Sequence, residues 1–91
     1  MATVGLHPHE AKFYDEQNEA LVKLIEDNKD VICGIGEAGY DFYYGHSTEE
    51  QQTIAFDFQL DLAKQYDLAL VIHTRDAWKQ TFELLNKAGW P

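Results

Sequence analysis

Two stretches of the chain, Val31-Ile32-Cys33-Gly34-Ile35-Gly36 and Leu68-Ala69-Leu70-Val71-Ile72, are apolar throughout. A strand with one wet face alternates apolar and polar residues. An uninterrupted apolar run of this length instead marks a strand covered on both faces, as in a parallel sheet flanked by helices. A shorter strand candidate, Thr3-Val4-Gly5-Leu6, ends at His7-Pro8-His9, where proline stops a ladder. Parallel neighbours need a long crossover, usually a helix, and the intervening segments supply one each time. Asp15 fits as an N-cap before Ala20, Leu21, Leu24 and Ile25, an apolar stripe at helical spacing that Asn28-Lys29-Asp30 ends. In Ser47-Thr48-Glu49-Glu50-Gln51, Ser47 with Glu50 or Thr48 with Gln51 has capping-box spacing. Ile54, Phe58 and Leu62 then lie on one face, with Ala55 beside them. Asp76 fits as the cap of a last helix with Trp78, Phe82 and Leu85 inward, stopped by Ala88-Gly89 with Pro91 beyond. The order β-α-β-α-β-α places the chain in the α/β class with a parallel sheet. No linker interrupts residues 1–91, which read as part of a single domain.

Charge and composition narrow the function. With 16 acidic residues against 7 basic ones, the net charge is −9, which leaves no general electrostatic footprint for wrapping a duplex. A nucleic acid can still be a substrate if cations and a local His/Arg cluster receive the phosphate. The single cysteine, Cys33, cannot form an internal disulfide, so a reducing, cytoplasmic setting is expected. Its apolar neighbours predict a buried side chain. No apolar run approaches the roughly 20 residues of a membrane span, and the first residues predict no secretory leader.

The chemistry lies at the strand ends. The first strand delivers His7 and His9, the second Glu37 and the third His73. In a parallel α/β barrel, side chains at these ends converge on one cavity. Neutral imidazole and carboxylate suit Zn²⁺ or Mn²⁺, while Mg²⁺ leans more on carboxylate and water. A carboxylate such as Glu37 can bridge two cations. Arg75, two residues past His73, shares its face if the strand runs that far, and its planar fork suits a phosphate. Each residue also has a plainer reading. His7 and His9 fit a polar turn, Glu37 a solvated carboxylate, His73 a satisfied core histidine, and Arg75 with Asp76 a surface pair. Co-location at three strand ends favours the site. His46 reads as a surface residue. Tyr40, Phe42, Tyr43 and Tyr44 fit base stacking, core packing or a lid.

Three segments in this order, Val4-Gly5-Leu6-His7-Pro8-His9-Glu10-Ala11, Gly34-Ile35-Gly36-Glu37-Ala38-Gly39-Tyr40-Asp41 and Ile72-His73-Thr74-Arg75-Asp76-Ala77, resemble the TatD-type deoxyribonucleases. Gln59-Leu60-Asp61-Leu62-Ala63 resembles the helix between them. The resemblance covers nearly the whole chain and implies a partial (β/α)₈ barrel that hydrolyses DNA phosphodiesters with divalent Mg²⁺, Mn²⁺ or Zn²⁺, two ions in the complete enzyme. It implies that Glu37 and His73 are catalytic metal ligands, that His7 and His9 lie near the substrate, and that Arg75 and Asp76 contact or support phosphate. Ala38 and Tyr40 depart from the usual small or aliphatic residues. A complete barrel needs about 250 residues, and these segments match three βα units, the second to fourth. The family's opening His-x-His pair, a later histidine and a late aspartate have no counterpart here. Little nuclease activity and either self-association or marginal stability are therefore expected of this chain alone. The alternatives are a non-catalytic fragment and a flavodoxin-like binding module. The second lacks a glycine-rich phosphate loop between strand and helix.

Overall fold

A computed structural model of the chain describes residues 2–43 and 45–90. The expectations placed on Tyr44 and Pro91 lie outside the described residues. Three strands, β1 (Ala2–Val4), β2 (Ile32–Asp41) and β3 (Ala69–Arg75), form one sheet in the order β1-β2-β3, with both pairings parallel. Helices α1 (Tyr14–Asp27), α2 (Glu49–Gln65) and α3 (Trp78–Lys87) alternate with them. This is the β-α-β-α-β-α order and the α/β class read from the sequence.

The helix starts show where local chemistry decided and where it did not. Thr48 caps α2. Its hydroxyl accepts from Gln51 N while Gln51 Oε1 accepts from Thr48 N, the second of the two predicted capping boxes. Asp15 is not a cap. A 3₁₀ turn, Pro8–Phe13, leads straight into α1, so Asp15 falls within the helix's first turn. Asp76 is not a cap either. It sits at φ +53° in the bend before α3, whose N-cap is Ala77 without a side-chain bond.

The buried residues between sheet and helices form clusters, two of which share Leu70 and Trp90, while Leu6, Ala11 and Ala55 form a smaller one under the 3₁₀ turn. The first holds Ile25, Ile32, Ile35, Leu62 and Ala63, and the second Ala38, Tyr40, Phe56, Leu60 and Ala77. The inward faces of two helices differ from expectation. α2 buries Gln52, Ala55, Phe56, Gln59, Leu60, Leu62 and Ala63, while Ile54 is exposed. α3 buries Thr81, which bonds Thr74 of β3, and turns Trp78 and Phe82 outward as a stacked pair, 62% and 55% exposed. Leu85 alone of that predicted stripe packs inward.

The strands are also not covered on both faces. Leu70 packs on the core and Thr74 bonds α3, so by strand alternation Val71, His73 and Arg75 share the opposite face. There Val71 is exposed. Cys33, expected to be buried, is exposed instead, where the pairing of β1 with β2 shifts between Ile32 and Gly34, and its Sγ reaches Ala2 O. The bare sheet face at Val71 and the outer edges of β1 and β3 predict self-association. Sedimentation equilibrium is expected to show dimers or larger species, and a monomer at every concentration would exclude it.

Candidate metal centre

The C-terminal ends of the strands gather all four histidines of the chain. His7 caps the 3₁₀ turn. Pro8 at the first turn position has the fixed φ that a helical start needs, and His7 Nδ1 accepts the amide of His9 at 3.1 Å. His9 is thereby carried over the sheet end. Ser47 holds it there, donating its hydroxyl to His9 O at 3.1 Å and accepting the amide of Lys12. The His7 and His73 rings are 4.6 Å apart.

Glu37 reaches the rim by an irregularity that no periodicity shows. β2 does not end at Gly36 as expected but runs on to Asp41. Between Gly36 and Ala38 the pairing with β3 shifts, so Glu37 stands opposite no partner. An extra residue of this kind re-aims a side chain, and such bulges are common beside functional sites. Glu37 is 54% exposed at the side chain. Its Oε1 lies 3.6 Å from His7 Nε2 and 3.5 Å from His73 Nδ1. One ligand atom from each of the three residues falls within 4.8 Å of the others, close enough to share a cation.

Asp41 organises the group. It is 1% exposed, and its Oδ2 receives His73 Nε2 at 2.8 Å and His9 Nε2 at 2.9 Å, while Oδ1 accepts the amide of Tyr43. Burial pushes its pKa up, but the bonds from His73, the Tyr43 amide and His9 outweigh that and hold it at about 2. Asp41 is therefore an anion that accepts from both rings. The tautomers follow from these bonds. His73 carries its proton on Nε2 and presents the Nδ1 lone pair toward Glu37. His7 uses Nδ1 as an acceptor, so in the neutral ring the proton is on Nε2. Burial first, then the neighbouring His73 and His9, lower the His7 pKa and favour that neutral form.

The other expected site residues fall around this centre. Arg75 ends β3 on the His73 face, with its guanidinium carbon 4.0 Å from the centre of the Tyr43 ring. Asp76 is exposed in the following bend. Tyr40 is core and Phe42 packs on it, while Tyr43 is exposed at the rim. Asp41 carries no signal of its own in the sequence beyond its place in the Gly34–Asp41 segment. A strand drawn through the aromatic Tyr40 and Phe42 would have brought it to the rim. His46 was expected at the surface. The residue is exposed, yet its ring lies 4.7 Å from that of His9.

An α/β chain whose parallel strands deliver imidazole and carboxylate to one rim has the build of a barrel-type metal-dependent hydrolase. The chain belongs to the TatD related DNase family, whose family model matches residues 1–91. It is 37% identical over 84 residues to the 3′-5′ ssDNA/RNA exonuclease TatD of Yersinia pseudotuberculosis, covering 92% of this chain and 32% of that protein. It is 38% identical over 85 residues to the same-named protein of Erwinia billingiae, covering 93% and 32%. It is 34% identical over 88 residues to an uncharacterized metal-dependent hydrolase of Mycoplasma pneumoniae, covering 94% of this chain and 34% of that protein. The chain thus spans about a third of the length of these relatives. No helix of the described residues is long and apolar enough to cross a membrane.

Proposed function

We propose that the chain supplies part of the active centre of a metal-dependent hydrolase acting on phosphodiester bonds of DNA. Single strands of DNA or RNA are the substrates carried in the names of two relatives. The observation that carries this reading is the Asp41–His73–Glu37 arrangement. A buried anion fixes His73 Nε2 at 2.8 Å and leaves Nδ1 facing the Glu37 carboxylate at 3.5 Å. A carboxylate-held imidazole beside a second carboxylate is the donor set that Zn²⁺, Mn²⁺ or Mg²⁺ accepts.

In this proposal Glu37 and His73 would hold a divalent cation. The ion supplies Lewis-acid polarisation of a phosphoryl oxygen and activation of water. His7 is a donor rather than a ligand. Its Nε2 carries a proton aimed into the same space, where it can bind a phosphate oxygen. His9, held by Asp41 and Ser47, keeps His7 in place through its amide. Arg75 offers its fork to a neighbouring phosphate, and Asp76 supports it from the bend that follows. Reaction in the whole protein belongs to this proposal, so its test reads binding.

Titration with Mn²⁺ by calorimetry is expected to show affinity falling roughly tenfold or more in Glu37→Ala and in His73→Ala. His7→Ala is expected to keep its Mn²⁺ affinity and to bind a single-stranded oligonucleotide more weakly by fluorescence anisotropy. Equal loss of Mn²⁺ in His7→Ala would make His7 a ligand. Undiminished Mn²⁺ binding in all three variants would remove the site.

A further inference from the structure

Two glutamines lie in the apolar face of α2, seven residues apart and each 1% exposed. A buried amide is costly unless fully bonded, and both are bonded in the same way. Gln59 Oε1 accepts Leu6 N at 2.7 Å, and its Nε2 donates to Leu6 O at 3.1 Å and Ala55 O at 2.9 Å. Gln52 Oε1 accepts Asp41 N at 2.7 Å, and its Nε2 donates to Asp41 O at 3.0 Å and Ser47 O at 2.9 Å. Each side chain therefore takes both backbone polar groups of one residue, as a neighbouring strand would. The amides cannot be reversed, because that would set donor against donor and oxygen against two carbonyls.

The residues gripped are not arbitrary. Leu6 immediately precedes His7. Asp41 carries the carboxylate that receives His9 and His73, and Ser47 holds the His9 carbonyl. Gly5 leaves room for the first clamp, since a Cβ there would lie 2.7 Å from Gln59 Oε1. We infer that Gln59 and Gln52 are positioning residues that set the two halves of the centre separately from one helix. Gln59 sets the strand end bearing His7, and Gln52 sets the Asp41 anchor of His9 and His73.

The test uses the metal-free, isotope-labelled chain at mildly alkaline pH, where ordinary imidazoles are neutral, so it does not depend on whether a cation binds. In the parent protein, histidine nitrogen NMR is expected to show His9 and His73 each as the single Nε2–H tautomer, with a nuclear Overhauser contact between the His7 and His73 rings. Gln52→Met is expected to shift the nitrogens of His9 and His73 toward mixed-tautomer values. Gln59→Met is expected to lose the His7–His73 contact while both tautomers persist. Folded variants with unaltered histidines, or two variants that disturb the same set, would overturn the inference. Where a variant does not fold, amide exchange in the parent chain decides. Leu6 lies beyond β1 and gives its amide to Gln59, so it is expected to exchange roughly tenfold or more below the free-peptide rate. Exchange at the free rate would overturn the clamp.

Discussion

Asp41→Asn is expected to lower Mn²⁺ affinity by roughly 10–100-fold and to destabilise the fold by on the order of 1–3 kcal/mol. The substitution keeps the volume and removes the charge. The parent carboxylate accepts two imidazole N–H groups at one oxygen and a backbone amide at the other. The asparagine amide has a single oxygen, and its nitrogen can only donate, so at least one of these half-buried donors loses its partner. His73 is then free to take the other tautomer, which turns an N–H instead of a lone pair toward Glu37. The pH dependence has a defined sign. Asp41 titrates at an ordinary carboxylate value of 3.8 when unfolded and at about 2 when folded. Its contribution is complete above the unfolded value and is lost as pH falls toward 2, because the unfolded chain then binds the proton first. Denaturant melts at a series of acid pH values should show parent and variant converging across that window. A gap that stays constant through it would mean the charge of Asp41 is not what holds the histidines.

Gly39→Ala is expected to cost on the order of 4 kcal/mol or to prevent folding, since changes above that size mark a named structural conflict. Gly39 has φ +146°, and an added Cβ would lie 2.1 Å from the carbonyl oxygen of His73. That oxygen belongs to the neighbouring strand, paired with Gly39 itself, so no flexible side chain can give way. Relief requires β2 and β3 to separate at the point where Asp41 and His73 meet. Native domains hold only about 0.05–0.15 kcal/mol per residue, so a large share of the stability of this part of a domain is at risk, and cation binding should fail with it. Gly45→Ala is the control. Gly45 also has positive φ, at +69°, but an added Cβ meets nothing within 4 Å. Only the backbone preference is charged there, about 1 kcal/mol. Urea melts of the two variants should therefore separate clearly. Matching midpoints would show that the strand contact at Gly39 is not tight.

Much of the architecture was legible in the chain. The two apolar runs were strands, the segments between them were helices, and Thr48 with Gln51 capped the second. Glu37 and His73 stood out because a charged or metal-competent side chain follows each buried-type run. The periodic reading failed where burial depends on layers. Trp78, Phe82 and Ile54 have helical spacing with apolar neighbours, yet the sheet meets other faces of their helices. Cys33 sits in an apolar run yet is exposed, at a shift in the β1–β2 pairing that no apolar pattern marks.

The amino-acid sequence by itself determined the order of elements and the residue types at the rim, because strand and helix periods and caps act between near neighbours. Only the tertiary structure decided that Glu37 steps out of the ladder, that α2 uses two amides as backbone clamps, and that Asp41 joins His9 and His73 across 32 residues on either side. Those bonds exist because packing brings backbone and side-chain atoms far apart in the chain within hydrogen-bond reach, and no local pattern encodes that approach.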